Sequence, residues 1–373
     1  MTFLLAPLLA VISPVQAYES AAPVAYMIDL NSGVELYHRD ADRRIPTASM
    51  AKMMTAWVAF ERIKAKKLGP QTRFTVSEAT WTKWNNTGST MYLKARAQVS
   101  VENLLHGLLT VSGNDAAVVL AEGISGSEAS FAKEMNREAK RLGMKNSRFA
   151  TANGWPDEGQ TYSTARDLAL LARHIITDHP TLFRQYFGQR SFTWDKVTQA
   201  NRNPLLGAIE GADGLKTGHS DEAGYCLAGT AQRGARRLVM VIAGLPTQMA
   251  RMQEARNFMQ WGFEAWSARP LFKRNHVVAS IPVQLGDQSS VSLIAPRDLA
   301  AILPKGQGEG IRLALRYKGP VRAPFRKGTE LAQLVVTLPD GSKQVMPLIA
   351  AQDVATAGFL GRSWNGVKSL LGA

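Results

Sequence analysis

The sequence predicts an α/β (α+β) fold in which an antiparallel sheet is flanked by helices, followed by a small all-β domain and a C-terminal amphipathic helix. Three observations predict it. Strand-like segments stand at both ends of the first 270 residues with helical periodicity between them, short strands separated by Gly and Pro follow Pro270, and the last residues are amphipathic. A length of 373 residues suits two domains. We place them at 18–270 and 271–353, after a signal peptide at 1–17 and before a helix at 354–373.

The N-terminal segment is predicted to be an export signal. The apolar run over residues 3–12 is too short to span a bilayer. Val15-Gln16-Ala17 supplies the small residues of a cleavage site, which leaves Tyr18 as the first residue of the mature chain. No Lys or Arg precedes the apolar run, although signal peptides usually carry one there. An ordinary buried segment is the alternative.

Periodicity defines the elements of the first domain. Residues 24–28 alternate, Asn31-Ser32-Gly33 is a turn signal and residues 34–37 return, which predicts a hairpin. Apolar residues recur every three or four positions over 101–176, which predicts helices inserted between the strands. The other predicted elements are helices over 50–62 and 249–266, and strands over 225–230 and 238–242 on either side of the turn Arg233-Gly234.

The second domain is predicted from short runs rich in β-branched residues, which lie at 277–281, 291–294, 311–317 and 331–338. Leu338-Pro339-Asp340-Gly341-Ser342 predicts a hairpin turn, because Pro presets φ and Gly accepts a positive φ. In the tail, an apolar stripe is formed by Leu360, Trp364, Val367 and Leu371, with Arg362 and Lys368 on or beside the other face. Such a helix either lies in a membrane surface or docks on its own protein.

The composition excludes several classes of function. A net charge of +14 favours anionic partners, but no nucleic-acid-binding signature accompanies it, so we predict no nucleic-acid partner. The single cysteine, Cys226, lies in a strand-like segment and is expected to be structural. The six histidines are scattered without a metal-binding pattern, and we predict neither a metal nor a cofactor.

Three short motifs occur in order along the chain. Ser49-Met50-Ala51-Lys52 fits S-x-x-K, Ser112-Gly113-Asn114 fits S-x-N, and Lys216-Thr217-Gly218 fits K-T-G with His219 after it. A chain of this length gives about one S-x-x-K, about one S-x-N and roughly a tenth of a K-T-G by chance. Ser130-Phe131-Ala132-Lys133 is such a chance match, since it follows S-x-N. The ordered trio is typical of active-site serine enzymes that react with penicillin.

The residue types of the trio suit nucleophilic catalysis. A serine hydroxyl needs a base, and positions i and i+3 share a helix face, so Lys52 is expected beside the Ser49 hydroxyl. Burial and a second cation, for which Lys216 is the candidate, would lower the pKa of Lys52. Taken singly, Ser49 also suits a helix cap, Lys216 a solvated strand end and Asn114 a turn.

The remaining motif residues have expected roles as well. Ser112 would relay a proton to the leaving amine, and Asn114 would hold a substrate amide and orient Lys52. Thr217 and Gly218 would lie on an edge strand, to which an extended peptide adds by backbone hydrogen bonds. The backbone N–H groups of Ser49 and His219 would form the oxyanion hole.

With these residues in view, the chain resembles the low-molecular-mass penicillin-binding proteins that act as serine-type D-alanyl-D-alanine carboxypeptidases. The resemblance covers nearly the whole mature chain. Besides the trio, it is carried by segments at 29–33, 45–50, 110–116, 201–203 and 213–225. It implies a β-lactamase/transpeptidase-like, penicillin-recognising domain, a β-rich domain and a membrane-anchoring helix on the outer face of the cytoplasmic membrane, in the periplasm.

The resemblance also implies a reaction. Ser49 would attack the penultimate carbonyl of a peptidoglycan pentapeptide stem ending in D-Ala-D-Ala, terminal D-Ala would leave and water would release the tetrapeptide. β-Lactams would acylate Ser49, Thr217 would bind the substrate's terminal carboxylate, and Arg202 would support that end electrostatically. Such an enzyme acts in peptidoglycan remodelling and cell shape. Asn153-Gly154-Trp155 stands where many relatives carry His-Gly, so the edge of the site is expected to differ.

Three alternatives remain open on the sequence. A β-lactamase of the same fold needs a second base, and no E-x-x-x-N segment lies between Ser112 and Lys216. A D,D-endopeptidase shares the trio. A catalytically idle envelope protein that binds peptidoglycan through the β domain is disfavoured by the intact trio.

Overall fold

The computed structural model describes residues 18–307 and 310–357. The predicted signal peptide therefore lies outside the described residues, as does the predicted tail helix from residue 358 onward. Residues 354–357, where that helix was expected to begin, are not helical, since Val354 forms a β-bridge to Phe325 and Thr356 one to Gly286. Within the described ranges, no helix combines the length and the apolarity needed to cross a membrane.

A five-stranded antiparallel sheet forms the centre of the first unit, with the strand order β2-β1-β11-β10-β9. The N-terminal hairpin predicted over residues 24–37 is confirmed, since β1 and β2 pair antiparallel. Its turn is closed by Asp29, whose Oδ1 accepts hydrogen bonds from the backbone N–H of Asn31 at 3.1 Å and of Ser32 at 3.0 Å, and Gly33 takes the positive φ of 79°. The strands of this unit are β1 (Val24–Asp29), β2 (Glu35–Arg39), β3 (Ile45–Pro46), β4 (Arg73–Thr75), β5 (Gln98–Ser100), β6 (Tyr162–Ser163), β7 (Ser191–Trp194), β8 (Val197–Ala200), β9 (Ala212–Ser220), β10 (Gly224–Arg233) and β11 (Arg236–Leu245).

Helices cover this sheet and build a separate lobe. They are α1 (Lys52–Lys64), α2 (Glu78–Trp84), α3 (Val101–Leu109), α4 (Asn114–Ser125), α5 (Glu128–Leu142), α6 (Ala165–Asp178), α7 (Pro180–Tyr186) and α8 (Gln248–Glu264), with a 3₁₀ turn over Ala48–Ala51 before α1. Ser or Thr caps five of them through a side-chain oxygen that accepts a first-turn N–H: Ser77, Ser100, Ser127, Thr164 and Thr247. Helix α1 is buried from Lys52 to Phe60 and packs against α3, α4, α5 and α6, so it is the core of the lobe.

The region predicted to be helical over 101–176 is interrupted. Residues 143–164 form loops with only the short strand β6, because Gly143 ends α5 in a left-handed conformation and Gly154 and Gly159 also take positive φ. Helix α8 ends at Glu264, two residues before the predicted end, and Trp266 begins a strand instead.

The second unit is all-β, as the sequence predicts. A six-stranded sheet has the order β16-β18-β19-β14-β13-β17, and β12 pairs with β15 beside it. Its strands are β12 (Trp266–Phe272), β13 (Val277–Gln284), β14 (Ser290–Ile294), β15 (Leu299–Pro304), β16 (Arg312–Tyr317), β17 (Val321–Arg322), β18 (Glu330–Thr337) and β19 (Lys343–Ala350). Alternate residues of β18 and β19 face a core of their own. The domain boundary at 270 stays a prediction, although β12 already pairs with the second unit from Trp266.

Two arginines join the units. Arg236 on β11 forms a salt bridge with buried Asp29 at 3.0 Å and donates to the carbonyl oxygen of Trp266 at 2.9 Å. Arg297 donates from Nε to the carbonyl oxygen of Asn31 at 2.6 Å. The first hairpin therefore contacts the second unit directly.

Candidate active site

The structure brings Ser49 and Lys52 together at the start of α1. The 3₁₀ turn over Ala48–Ala51 continues into α1, so the two side chains share a face, and Lys52 Nζ lies 2.8 Å from Ser49 Oγ. Ala48 takes a positive φ of 43°, which is unusual for a residue with a Cβ and marks the turn that presents Ser49. The Ser49 hydroxyl and the Lys52 amine therefore lie side by side, as their i, i+3 spacing predicts.

Lys52 is fully buried, with three hydrogen-bond acceptors around its amine. Besides Ser49 Oγ these are Oδ1 of Asn114 at 2.7 Å and the backbone oxygen of Asn153 at 3.2 Å. Burial lowers the pKa of Lys52 to about 7, Asp115 opposes this shift, and Arg202 adds to it. A buried lysine with this pKa is half neutral near pH 7 and able to take a proton from a hydroxyl.

Lys216 was the expected second cation, but Arg202 is the one that lowers the pKa of Lys52. Lys52 instead lowers the pKa of Lys216. That pKa falls well below its ordinary value because Lys216 is buried and because Lys52, Arg202 and Arg251 lie nearby. Lys216 Nζ donates to the backbone oxygen of Thr217 at 3.0 Å. The two lysines therefore oppose each other's protonation within one buried site.

Ser112 lies in the turn before α4, and Asn114 is the first residue of that helix. Ser112 takes a positive φ of 65° and lines the cavity in front of Ser49. Asn114 uses both ends of its amide, since Oδ1 accepts from Lys52 and Nδ2 donates to the backbone oxygen of Thr87 at 3.2 Å. Asn114 is thus positioned to orient Lys52, as the sequence predicts.

The K-T-G segment lies on β9, the edge strand of the five-stranded sheet. Gly218 passes so close to the turn of Ser49 that a Cβ there would lie 3.0 Å from the backbone oxygen of Thr47. This close approach explains the glycine and places the strand beside the nucleophile. Thr217 and His219 line the same cavity, and the His219 ring stacks on Tyr225 with centroids 3.9 Å apart.

All nine predicted site residues are gathered around one cavity. Its volume is about 530 Å³, and its lining includes Ser49, Ser112, Asn114, Arg202, Thr217, Gly218 and His219, while Lys52 and Lys216 are buried behind it. Arg202 donates to Ser89 Oγ at 2.5 Å and to the backbone oxygen of Val111 at 3.3 Å, which holds it at the edge. Among the described residues, no group of three or more His, Cys, Asp and Glu is arranged to hold a metal ion.

Sequence reasoning missed Arg251 of α8. Its side chain is 4% exposed and lines the cavity, with the guanidinium 5.5 Å from the Tyr225 ring and one nitrogen 3.5 Å from the backbone oxygen of Gly218. Burial lowers its pKa, and its Nε has no hydrogen-bond partner among the described residues. A buried cation without a carboxylate partner is costly, so this cavity is suited to an anionic group.

Asp115 was also missed, although it follows Asn114 directly. The buried carboxylate accepts from the backbone N–H of Met91 at 3.0 Å, from that of Leu93 at 3.1 Å and from Thr90 Oγ1 at 2.5 Å. It therefore fixes the loop that borders the site. Asn153, whose backbone oxygen holds Lys52, comes from the loop over 143–164, which lies within the region that the sequence predicts to be helical.

A family model described as D-alanyl-D-alanine carboxypeptidase matches residues 11–247, and a model described as penicillin-binding protein 5, C-terminal domain, matches residues 266–356. D-alanyl-D-alanine carboxypeptidase DacA of Haemophilus influenzae is 36% identical over 343 residues, which cover 91% of this chain and 86% of the relative. DacC of Escherichia coli is 35% identical over 344 residues, with 91% and 86% covered.

Solved structures of penicillin-binding proteins are similar to this chain as well. Penicillin-binding protein 5 from Haemophilus influenzae has a TM-score of 0.81 at 34% identity, over 92% of this chain and 100% of that one. The cefotaxime-bound penicillin-binding protein D2 from Listeria monocytogenes has a TM-score of 0.61 at 34% identity, over 66% of this chain and 99% of that one. The first of these comparisons spans both units, whereas the second spans two thirds of the chain.

Proposed function

The chain belongs to the D-alanyl-D-alanine carboxypeptidase family and is a serine-type enzyme of that activity, and from this premise we propose that Ser49 is its nucleophile and Lys52 its base. The observation that carries the assignment is the buried Lys52 amine, which lies 2.8 Å from Ser49 Oγ and has a pKa of about 7. An amine that is neutral near physiological pH accepts the hydroxyl proton as the oxygen attacks.

The substrate we propose is the pentapeptide stem of peptidoglycan. Ser49 Oγ attacks the carbonyl carbon of the penultimate D-Ala while its proton passes to Lys52 Nζ, and the backbone N–H groups of Ser49 and His219 stabilise the oxyanion. Collapse breaks the C–N bond as Ser112 gives its proton to the leaving nitrogen of D-Ala and takes up the proton held by Lys52. Water then attacks the ester carbonyl and gives a proton to the neutral Lys52. The C–O bond breaks as that proton returns to Ser49 Oγ, which releases the tetrapeptide and free Ser49.

Recognition of the terminal carboxylate is assigned to three residues. Thr217 lies on the edge strand at the cavity, Arg202 is held at its border, and Arg251 brings a buried guanidinium into its lining. Charge-assisted hydrogen bonds to a carboxylate would supply the partner that Nε of Arg251 lacks among the described residues. A free C-terminal carboxylate is the group by which a carboxypeptidase selects the end of a peptide.

We also infer that β-lactams acylate Ser49, since they offer a reactive carbonyl and a carboxylate together. Fast release of the drug would require a second base beside the ester. Asp221 is the one carboxylate among the described residues that line the cavity, and it lies exposed just after β9. This favours a penicillin target over a β-lactamase.

The location we propose is the outer face of the cytoplasmic membrane, in the periplasm. Support comes from the signal-like segment over 1–17 and the amphipathic pattern over 355–373. Sedimentation with anionic lipid vesicles tests the anchor. The chain ending at residue 373 is expected to pellet with vesicles, and the chain ending at 357 to stay in solution; equal behaviour would contradict the anchor.

The enzymatic proposal is tested with a pentapeptide muropeptide and a fluorescent penicillin. The wild type is expected to release one D-Ala per stem and to become covalently labelled, and Ser49→Ala to do neither. Ser130→Ala is the matched control, since Ser130 also begins an S-x-x-K match but lies in the first turn of α5, where its backbone N–H donates to Oγ of the capping Ser127 at 3.2 Å. Labelling that survives Ser49→Ala and disappears in Ser130→Ala would refute the assignment.

A further inference from the structure

Helix α8 carries a buried carboxylate that the proposed mechanism does not use. Glu254 is 6% exposed and lies three residues after the buried Arg251. Glu254 accepts two hydrogen bonds, both from hydroxyl groups, and Arg251 donates one, to the backbone oxygen of Gly218. Within the part of the chain that the structure describes, no salt bridge joins these two opposite charges. Buried ions usually pair, so their separation needs a physical cause.

The spacing of Arg251 and Glu254 would allow a salt bridge. Residues i and i+3 of a helix are neighbours on its surface, with Cβ atoms about 5–6 Å apart. In α5 the same spacing, with the acid first, pairs Glu138 with Arg141 at 2.6 Å. Helical side chains also lean towards the N-terminus of their helix, which turns Glu254 towards Arg251. The carboxylate of Glu254 must therefore be held elsewhere.

The segment before β1, residues 18–23, supplies this hold, and we call it the N-terminal strap. Oγ of Ser20 donates to Oε1 of Glu254 at 2.6 Å, and the Tyr18 hydroxyl donates to the same oxygen at 3.2 Å. The Ser20 oxygen also accepts from the backbone N–H of Ala22 at 3.1 Å, which leaves its proton for Glu254. Ser20 is buried, so little water competes for this carboxylate oxygen.

The strap is itself fixed between β2 and α8. The Tyr18 ring stacks on Phe258 of α8, with centroids 5.1 Å apart and planes at 25°, and its centroid also lies 5.1 Å from that of Trp261. The backbone oxygen of Ser20 accepts from the guanidinium of Arg39 on β2. Donors held in this way keep the carboxylate of Glu254 in one orientation at little further cost in conformational entropy.

We propose that Ser20, together with Tyr18, is a positioning residue: by holding the carboxylate of Glu254, it leaves the guanidinium of Arg251 free for the carboxylate that ends the substrate. The inference rests on the role proposed for Arg251. Without the strap, Glu254 turns to Arg251 and forms the salt bridge that their spacing allows. The substrate then has to displace a carboxylate of the protein itself. This competition weakens the binding of peptides that end in a carboxylate and of no others.

Nα,Nε-diacetyl-L-lysyl-D-Ala-D-Ala and its C-terminal amide test the strap. Ser20→Ala is expected to lower kcat/KM about tenfold for the free acid, mostly through a higher KM, and less than about twofold for the amide. Glu254→Gln, which removes the competing charge, should keep the wild-type acid-to-amide ratio. The double variant that combines it with Ser20→Ala should regain that ratio. An equal loss on both peptides, no loss on either, or a selective loss that Glu254→Gln does not rescue would overturn the proposal.

Ser32→Ala is the matched control, because it removes the same kind of hydrogen bond away from α8. Ser32 is buried in the first hairpin, outside the cavity lining, and its Oγ donates to the buried carboxylate of Asp29 at 3.1 Å. This variant should keep the wild-type acid-to-amide ratio, and a selective loss on the free acid there would contradict the proposal.

The role of the strap and the proposed function fail in different ways. Absence of D-Ala release by the wild type would refute the proposed function. Equal losses on acid and amide in Arg251→Leu would refute carboxylate binding by Arg251, and the inference about Ser20 would fall with it. A selective loss on the acid in Arg251→Leu without one in Ser20→Ala would overturn the role of the strap alone.

Discussion

Raising the pH through neutrality is expected to switch on acylation of Ser49, because Lys52 must be neutral to accept the hydroxyl proton. Burial lowers the pKa of this lysine from 10.5 to about 7. About half of the enzyme then has a neutral Lys52 at pH 7, whereas a lysine with its ordinary pKa would be neutral in only about 0.03% of molecules. The difference corresponds to roughly 5 kcal/mol of disfavoured charge.

The assay is the second-order rate constant for labelling by a fluorescent penicillin between about pH 5 and 10. It should rise about tenfold per pH unit at low pH and level off above about pH 7, since it reports the free enzyme. Arg202→Gln removes the cation that lowers the pKa of Lys52, so the midpoint is expected to move to higher pH. Lys52→Arg, which stays charged, should show no rise.

A midpoint near pH 10 in the wild type would refute the reasoning, because it would mean that Lys52 keeps its proton in the folded enzyme. A flat profile would point to another base. A midpoint that Arg202→Gln moves to lower pH would contradict the electrostatic origin of the shift, whatever that variant does to the affinity for penicillin.

Four further predictions concern residues of the site. Between about pH 7.5 and 9.5, the free energy of unfolding of the wild type should rise relative to that of Lys52→Met, by up to about 1.4 kcal/mol per pH unit. The reason is that Lys52 is protonated in the unfolded chain but not in the folded one over this range. Urea titrations of both proteins at several pH values measure the difference. Gly154→Ala should lower the free energy of unfolding by about 2–4 kcal/mol and abolish most of the labelling rate, because its Cβ would lie 1.9 Å from the backbone oxygen of Ala48. Gly159→Ala is the control. It has a similar φ but no atom within 4 Å of the new Cβ, so it should cost only about 1–2 kcal/mol. Asp115→Ala should destabilise the protein by about 3 kcal/mol in denaturant titrations, because it leaves buried N–H groups unpaired, and a change below about 0.5 kcal/mol would contradict that. Arg251→Leu should lower kcat/KM about a hundredfold for a peptide with a free C-terminal carboxylate but only a few-fold for its C-terminal amide, and equal losses would argue against carboxylate binding.

Local sequence patterns predicted those elements that have a turn signal or a regular hydrophobic period of their own. The first hairpin was predictable because Asn31-Ser32-Gly33 has turn chemistry and its flanks alternate. The turn predicted over 338–342 implied a strand after it, but the bounds of β19 were not predicted; Pro347 lies within this strand, and proline usually argues against a central strand. Strand β15 was missed for another reason. Its sequence, Leu-Ala-Ala-Ile-Leu-Pro, is a continuous apolar run, and such a run does not separate a buried strand from a helix.

The motif residues of the site were predictable because their spacing reflects chemistry. Ser49 and Lys52 must share a helix face for one to activate the other, and their side chains lie 2.8 Å apart. Arg251 could not be found in this way, because an arginine on an amphipathic helix has no sequence feature that separates a buried one from an exposed one. The contribution of Asn153 is a backbone oxygen, which every residue type has. Only the tertiary fold brings these groups to Lys52.

The four basic side chains of the site affect both the proposed binding of a carboxylate and the transfer of a proton to Lys52. Lys52, Lys216, Arg202 and Arg251 lie around one cavity. Burial and Arg202 lower the pKa of Lys52, and burial, Lys52 and the two arginines lower that of Lys216. This arrangement keeps Lys52 neutral in about half of the free enzyme at pH 7, ready to accept a proton. A bound carboxylate offsets the surrounding positive charge, so it lowers the cost of protonating Lys52 at the moment when Ser49 gives up its proton. In the binding mode that we propose, the anion that identifies the end of the peptide also stabilises the transition state, and a neutral analogue loses both contributions.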